Sequence, residues 1–338
     1  MWAFSTIGDG IDALKQIELP VPSPGPREVL VRMVAVALNF RDLMVINGVG
    51  AWKPTEARIP LSDGVGVVVA AGAEVTRFQP GDRVAGIFLP KWLDGELNAE
   101  TYVSPLGGAS ADGVLSEYRV FGEQSVVALP GHLTDHEGAT LPVAGVTAWH
   151  AVRHRSGVRS GDLVLIQGTG GVSLFALQFV LALGGRAIVL SSSDEKLNRV
   201  RSLGAADVIN YSQVPRWEEE VLARTGGRGV DHVIEVVGGE NLNRSLRVVR
   251  VSGTISFIGL LAGLAASINT YEFVTRNVRI HGIETGSRAM FEDMNKFIRH
   301  HAIQPVMDMV YALADFQKAL RRLQTCGHFG KVAIALPA

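Results

Sequence analysis

The stretch Asp162–Asp194 reads DLVLIQGTGGVSLFALQFVLALGGRAIVLSSSD and decides the fold. Apolar runs at 163–167 and 186–190 predict two buried strands, and the longer run between them predicts a helix. GTGGVS, residues 168–173, joins the first strand to that helix, where dinucleotide-binding folds carry G-x-G-x-x-small. The stretch therefore predicts a βαβ unit with a dinucleotide site at its turn.

Each small residue of the turn has a physical role. Gly168 allows the tight bend, Gly170 lets the backbone approach a pyrophosphate, and Ser173 allows close helix–strand packing. The N–H groups at a helix start attract phosphate. We therefore expect the turn to contact the cofactor through Gly168, Thr169, Gly170, Gly171 and Val172.

The second strand of this unit ends in Ser191, Ser192 and Ser193. Folds specific for NAD usually place a carboxylate there, which binds the 2′-hydroxyl of the ribose. Serines in that place favour a 2′-phosphate instead. The sequence therefore predicts NADP(H) as the cofactor.

The rest of the chain divides by its periodicity. Residues 1–126 are β-rich, and helices alternate with strands from about residue 134. Further strands are predicted at 207–210, 231–235, 253–257 and 278–281. Six strands with helical crossovers indicate an α/β fold with a Rossmann doubly wound parallel sheet. We expect a nucleotide domain at 127–284 and a second, β-rich domain at 1–126 with 285–338.

Composition excludes several classes of protein. The chain has 338 residues, 47% of them hydrophobic, and a net charge of −1, so no basic field attracts nucleic acid. Its single cysteine, Cys326, excludes an internal disulfide framework. The apolar runs fall short of the roughly 20 residues that a membrane span needs, and the first residues lack signal-peptide features. These features predict a soluble cytoplasmic protein without a nucleic-acid or membrane partner.

Several motifs resemble those of the medium-chain dehydrogenase/reductase superfamily, along nearly the whole chain. They are VTRFQPGDRV (75–84), ATLPVAGVTAW (139–149), GAADVINY (204–211) and HFGKV (328–332). The resemblance implies a GroES-like fold for the β-rich domain. A further segment, LNFRD at 38–42, resembles the zinc-free quinone oxidoreductase-like branch and polyketide-type enoyl reductases.

The resemblance also implies that no metal is bound. Alignment through the flanking motifs places Asn39, Ser62–Asp63 and Val143 where similar zinc alcohol dehydrogenases carry catalytic ligands. Catalytic zinc normally has three protein ligands, mostly imidazole, thiolate or carboxylate, and these positions offer neither thiolate nor imidazole. The loop 88–113 likewise lacks the four cysteines of a structural zinc site.

By the same resemblance, Lys196 and Tyr211 are expected to hold the 2′-phosphate. Asn39 is expected to face the nicotinamide as a catalytic and cofactor-binding residue, and Asp42 is a second catalytic candidate, although pairing with Arg41 is the simpler role. Ser287 and Arg288 are candidates for the substrate pocket or a surface loop. Further cofactor contacts implied by the family are Thr147, Val237, Ile258, Gly259, Leu260, Phe329, Gly330 and Lys331.

The sequence thus predicts an NADPH-dependent, zinc-independent oxidoreductase that reduces an α,β-unsaturated carbonyl or a quinone. One departure weakens a carrier-protein enoyl reductase assignment, because Leu260 replaces the lysine that commonly follows Ile-Gly in those enzymes. The alternatives are a zinc-free alcohol or aldehyde dehydrogenase and an NADPH-binding structural or regulatory protein without turnover. The family resemblance also implies a homodimer and a substrate site between the two domains.

Overall fold

A computed structural model describes residues 1–337. The strands are β1 (Trp2–Ser5), β2 (Lys15–Glu18), β3 (Glu28–Ala37), β4 (Asp63–Ala71), β5 (Arg83–Gly86), β6 (Tyr118–Gly122), β7 (Val126–Ala128), β8 (Leu163–Gln167), β9 (Arg186–Ser191), β10 (Asp207–Asn210), β11 (Val230–Glu235), β12 (Val249–Phe257), β13 (Arg279–Gly282), β14 (Met307–Ala312) and β15 (Lys331–Ala335). The α-helices are α1 (Phe40–Ile46), α2 (Asp135–Gly138), α3 (Val146–Trp149), α4 (Gly171–Ala182), α5 (Asp194–Ser202), α6 (Trp217–Arg224), α7 (Asn241–Val248), α8 (Thr270–Thr275), α9 (Arg288–His301) and α10 (Phe316–Gln324).

Shorter helical turns complete the secondary structure. Short 3₁₀ turns lie at Ile11–Ala13, Gly50–Trp52, Glu123–Ser125 and Leu313–Asp315. Turns of π-helix at Leu141–Gly145 and His150–Ser156 flank α3. Among the described helices, none combines the length and apolar character needed to cross a membrane.

Residues Thr147–Glu284 form a compact unit, here called the second unit, around a six-stranded sheet. Its strand order is β10-β9-β8-β11-β12-β13, and every neighbouring pair is parallel. Strands β8 and β9 are largely apolar and β11 is buried throughout, as expected where helices cover both faces of a parallel sheet. This order is that of a doubly wound fold, which confirms the predicted Rossmann sheet.

Residues Met1–Val146 and Thr285–Ala338 form the other compact unit, here called the first unit. Its main sheet has seven strands in the order β14-β15-β3-β4-β5-β7, with β6 paired to β3. The pairs are antiparallel except β14 with β15. One apolar core joins the sheet to α10, so the C-terminal residues complete a domain that the N-terminal residues begin.

The first division between the units lies at Val146/Thr147, whereas the sequence analysis placed it at 126/127. The intervening residues pack within the first unit, because β7 pairs with β5 and α2 packs against β3 and β4. The helical pattern that begins near residue 134 marks a change of secondary structure. The chain begins to pack within the second unit only after Val146.

Candidate active site

The glycine turn of the second unit joins β8 to α4. Gly168 has a φ of 74°, in the left-handed region that favours glycine. Gly170 is the N-cap of α4 and leaves the helix start without a side-chain cap. The Ser173 hydroxyl donates to the Gln167 carbonyl at 2.7 Å, which ties the helix to its strand. The first N–H groups of α4 are therefore suited to an anion, and this uncapped start fits a pyrophosphate.

The predicted ribose-phosphate residues converge at the carboxyl end of β9. The Ser193 hydroxyl caps α5 by accepting from the Lys196 backbone N–H at 3.3 Å. Ser191 is buried, its hydroxyl accepts from the Ser193 N–H at 3.4 Å, and its carbonyl accepts from the Tyr211 N–H at 3.0 Å. Ser192 and Tyr211 are exposed. Residues from two strands and one helix start therefore share one surface.

The acidic residue nearest to the serines, Asp194, is already engaged. Its carboxylate accepts from the Asn210 amide at 2.8 Å and from the Gln213 amide at 2.6 Å. It is bound to β10 and the turn after it, so an approaching ribose would have to compete with two amides for this carboxylate.

Two loops follow β11 and β12 and contain the other predicted cofactor residues. The Ala262 N–H donates to the Val237 carbonyl at 2.8 Å. Gly259 lies so close to Val236 that a Cβ there would be 1.6 Å from the Val236 carbonyl oxygen. Only glycine fits this close approach, which holds the two loops side by side and leaves Leu260 exposed.

Glu235, at the end of β11, organises both loops and was missed by the sequence analysis. Its buried carboxylate accepts from the N–H groups of Val237 at 2.9 Å and Gly238 at 3.0 Å. Its backbone carbonyl accepts from the Ile258 N–H at 2.8 Å and the Gly259 N–H at 3.1 Å. The other donors to the carboxylate are the side chains of Gln167, Asn241 and Ser245. A buried acid after a strand looks unremarkable in sequence, because its partners lie up to 68 residues away.

Thr147 carries a buried hydroxyl that makes no hydrogen bond within residues 1–337. The simplest expectation for a helix threonine, a bond to its own preceding turn, is therefore not met. An unpaired buried hydroxyl costs stability unless a ligand uses it. This orphaned group fits the predicted cofactor contact.

In the first unit, Asn39 lies at the N-cap of α1. Its side-chain Oδ1 accepts from the Lys331 ammonium at 2.7 Å, and its Nδ2 lies 3.4 Å from the Ser62 hydroxyl. Asn39 is 9% exposed, whereas Ser62 and Lys331 are more deeply buried. Two more deeply buried side chains thus hold the amide.

The residues at the zinc-ligand positions of similar enzymes come together here. The Ser62 hydroxyl donates to Asp63 Oδ1 at 3.1 Å, and the Val143 backbone N–H donates to Asp63 Oδ2 at 3.3 Å. Leu61, just before them, is buried with a φ of 70°, an outlier for a bulky residue. Strained backbone of this kind is concentrated at functional sites.

Lys331 lies at the centre of this group. Its ammonium donates to the Leu38 carbonyl at 2.7 Å as well as to Asn39, and lies 3.7 Å from Asp63 Oδ2. Burial lowers the pKa of Lys331, and the carboxylates of Asp63 and Asp42 act in the opposite direction. The side chain expected to contact the cofactor is therefore directed into the first unit.

Asp42 accepts from the Asn39 backbone N–H at 2.8 Å and pairs with Arg41 at 3.2 Å. Burial raises the pKa of this carboxyl to about 6, although Arg41 opposes the shift. The carboxyl therefore stabilises the start of α1 and holds the backbone of Asn39.

The donor set does not fit zinc. It consists of one amide, one hydroxyl, one carboxylate and a valine, and an ammonium already lies among them. Zinc prefers thiolate, imidazole and carboxylate ligands, and a buried ammonium would repel it. Within residues 1–337, no three His, Cys, Asp or Glu side chains are grouped to hold a metal ion.

The remaining predicted residues have mainly structural contacts. Ser287 is the N-cap of α9, where its hydroxyl accepts from the Met290 N–H at 3.2 Å. Arg288 bonds to Gln124 and lies 3.6 Å from Glu292. Phe329 is buried, and a Cβ at Gly330 would lie 2.1 Å from the Val306 carbonyl oxygen.

Comparison with known proteins agrees with this architecture. Residues 25–131 match the alcohol dehydrogenase GroES-like domain, and residues 171–300 match the zinc-binding dehydrogenase family. A zinc-type alcohol dehydrogenase-like protein of Schizosaccharomyces pombe is 39% identical over 97% of this chain and 96% of its own. A quinone oxidoreductase of Pseudomonas aeruginosa is 30% identical over 92% of this chain and 91% of its own.

Solved structures lead to the same family. A Sinorhizobium meliloti protein assigned to the alcohol dehydrogenases has a TM-score of 0.92 and 42% identity, covering 99% of this chain and 98% of its own. A 2-octenoyl-CoA carboxylase reductase solved with NADP has a TM-score of 0.87 and 26% identity, covering 99% of this chain and 87% of its own. The chain belongs to the medium-chain dehydrogenase/reductase superfamily and is an oxidoreductase of that family. This confirms the predicted family and the two-domain fold.

Proposed function

We propose that the protein is an NADPH-dependent, zinc-independent reductase of α,β-unsaturated carbonyls or quinones. The observation that carries this proposal is the group around Asn39. At the positions of the family's zinc ligands, the chain has an amide held by an ammonium, and no set of metal donors. Such a group can donate a hydrogen bond to a substrate oxygen, but it supplies no Lewis acid.

This difference in chemistry favours conjugate reduction. A bound nicotinamide would supply the hydride. Without a metal to polarise an isolated carbonyl, an enone or quinone is the easier acceptor, because the negative charge is delocalised onto oxygen. Hydride adds at the β-carbon of an enone, the C=C electrons move toward oxygen, and water protonates the α-carbon. In this proposal, an amide N–H of Asn39 donates to that oxygen.

Five residues at the carboxyl ends of β9 and β10 support NADPH as the cofactor. Ser191, Ser192, Ser193, Lys196 and Tyr211 would hold the 2′-phosphate. A lysine beside phosphate makes charge-assisted hydrogen bonds, which contribute about 1.5–3 kcal/mol each. The carboxylate that could select NADH, Asp194, is occupied by two amides. The uncapped start of α4 and the Thr147 hydroxyl would contact the rest of the cofactor.

Affinity measurements test the cofactor assignment. NADPH and NADH are titrated against the purified protein by fluorescence quenching. The Lys196→Ala variant should bind NADPH roughly tenfold to over a hundredfold more weakly and NADH with little change. Ser191→Asp should favour NADH. Equal affinities for both cofactors in the unmodified protein would refute the assignment.

Steady-state kinetics test the reaction. A panel of enones, quinones, alcohols and aldehydes is assayed with NADPH or NADP, and zinc is quantified in the same preparation. Asn39→Ala should lower turnover of the best enone or quinone by about 10²–10³. Stoichiometric zinc whose removal abolishes activity would contradict the zinc-independent assignment.

The second candidate is a zinc-free alcohol or aldehyde dehydrogenase. The names of the S. pombe and S. meliloti relatives support the alcohol dehydrogenase activity but not the absence of zinc, since the S. pombe protein is named zinc-type. It predicts that alcohols or aldehydes are far better substrates than every enone and quinone in the panel. Cofactor binding without turnover of any substrate would instead support a structural or regulatory role.

We also propose a homodimer, supported by two features of the second unit. Strand β13 lies at the edge of the six-stranded sheet. Segment 260–274 exposes large apolar side chains, with Leu264 at 64%, Val274 at 72% and Tyr271 at 75%. An apolar surface next to a sheet edge is typical of an interface. Sedimentation of the wild type and of Tyr271→Ser with Val274→Ser would test this, since a dimer should dissociate in the double variant.

A further inference from the structure

The hydrogen bonds around Asn39 have a single possible direction. An ammonium has only donors, so Asn39 must present Oδ1 to Lys331 and Nδ2 to Ser62. A carboxylate has only acceptors, so the Ser62 hydroxyl donates to Asp63. Asp63 Oδ2, 3.7 Å from the ammonium, closes the ring. We call these four residues the lysine ring.

The ring determines what Asn39 can offer to a ligand. Its amide oxygen is used by Lys331, and one amide hydrogen points to Ser62. The amide NH₂ group also interacts with the Asp63 carboxylate, and Ser62 is its one acceptor within 3.5 Å among residues 1–337. Asn39 is also the only ring member that is not almost fully buried. The ring therefore favours Asn39 as an N–H donor to a ligand, because its oxygen already accepts from Lys331.

The charge of Lys331 strengthens that donor. A cation bonded to the oxygen of an amide draws electrons from its nitrogen, and hydrogen bonds in a chain polarise one another in a low dielectric. Asp63 balances the charge without contacting Asn39 Oδ1, and the Leu38 carbonyl fixes the ammonium from the other side. Of these partners, Lys331 alone bonds to the Asn39 oxygen.

We propose that Lys331 is a positioning residue of the reductase reaction. Its ammonium orients Asn39 with the N–H outward and polarises it toward the substrate oxygen, among the residues that replace the zinc ligands. This inference rests on the proposed function, because it requires Asn39 to be the donor. It also gives the lysine of the closing motif a role other than cofactor contact.

The test is a double-mutant cycle with Lys331→Met and Asn39→Ala, assayed on the best enone or quinone. Lys331→Met should lower kcat about 10- to 100-fold, as loss of a supporting residue behind a ligating group does, with NADPH affinity unchanged. The combined variant should be no worse than Asn39→Ala alone, since Lys331 acts through Asn39. The exposed Lys318→Met is the matched control and should leave kcat unchanged.

A spectroscopic readout is independent of turnover. In ¹⁵N-labelled protein, the Asn39 side-chain NH₂ signals are identified by their loss in Asn39→Ala. Lys331→Met should shift these two proton signals, and Lys318→Met should not. If Lys331→Met fails to fold because it leaves Asp63 unpaired, Lys331→Met with Asp63→Asn replaces it, since this pair leaves no lone charge.

The outcomes separate the two proposals. If Asn39→Ala leaves turnover unchanged, the proposed donor and the inference both fail. If Asn39→Ala is impaired but Lys331→Met keeps its kcat and the Asn39 signals, only the inference is overturned. The inference is also overturned if the two substitutions lower kcat multiplicatively when combined. It is overturned as well if Lys331→Met weakens NADPH binding and leaves kcat unchanged.

Discussion

The lysine ring of the first unit and the glycine turn of the second unit are suited to hold charge by opposite means. The turn uses backbone N–H groups at a helix start and brings no charged side chain, so its residues lie within one short segment. The ring holds a buried ammonium against a buried carboxylate, and two of its bonded atoms are 292 residues apart in sequence. A site formed by backbone N–H groups tolerates substitution of many side chains. A site formed by buried charges depends on every charged partner being present.

This comparison predicts the largest loss of stability in the ring. Asp63→Asn should lower the free energy of unfolding by about 3–5 kcal/mol, because it leaves the Lys331 ammonium without its nearest carboxylate. Urea unfolding at neutral pH measures the loss. The control is Asp135→Asn, which breaks a partly exposed pair with Arg83 and should cost at most about 1 kcal/mol. Equal losses in the two variants would show that the ring is not a stabilising charge pair.

Asp42, beside the ring, should make stability depend on pH. Its folded-state pKa of about 6 lies above the unfolded value near 3.9, so the folded state binds the extra proton. Its contribution is therefore most favourable below about pH 4 and is lost as pH rises through 6.

Asp42→Asn removes this titration. The stability of the variant relative to wild type should therefore rise by up to about 3 kcal/mol between pH 4 and pH 7. Urea unfolding across that range measures the difference. Parallel curves of stability against pH for wild type and Asp42→Asn would mean that the pKa of Asp42 is not raised in the folded state. Arg41 would then keep the carboxyl ionised.

In the second unit, the buried carboxylate of Glu235 has only neutral donors around it. Glu235→Gln should cost about 1–3 kcal/mol, less than Asp63→Asn, because no buried cation loses its partner. It should also weaken NADPH binding, because the new NH₂ group would face donors in either orientation, the loop N–H groups on one side or the side-chain donors on the other. Unfolding and NADPH titration test both effects. A larger loss here than in Asp63→Asn would reverse the comparison.

The smallest effect is expected at Thr147. Replacing its unpaired hydroxyl by the methyl group of Thr147→Val should raise stability without cofactor by about 1 kcal/mol. The same change should weaken NADPH binding if the hydroxyl serves the cofactor. Thermal unfolding with and without NADPH measures both. If Thr147→Val lowers the stability of the cofactor-free protein, the Thr147 hydroxyl has a hydrogen-bond partner within the protein.

The sequence predicted the elements of the second unit well, because each signal is local. The apolar runs at 163–167 and 207–210 are the strands β8 and β10, with the same bounds. The predicted division at 126/127 precedes the one that packing gives at Val146/Thr147, because packing partners do not follow from periodicity.

The candidate site was predictable only in part. Alignment of the motifs grouped Asn39, Ser62, Asp63 and Val143, and the structure brings them together. The partner of Asn39, the Lys331 ammonium, was missed, because its motif was interpreted as a cofactor contact. Glu235 was missed for a similar reason, since nothing near it in sequence shows which donors it meets.

The sequence by itself determined the family, the doubly wound sheet and the lack of thiolate or imidazole at the zinc positions. These properties depend on residue types and on spacing over a few residues, which the chain carries in any conformation. Only the tertiary structure decided that the Lys331 ammonium points into the first unit and bonds to the Asn39 amide oxygen. Hydrogen-bond direction and burial arise when distant segments pack, because packing removes water and leaves buried polar groups to bond only to one another.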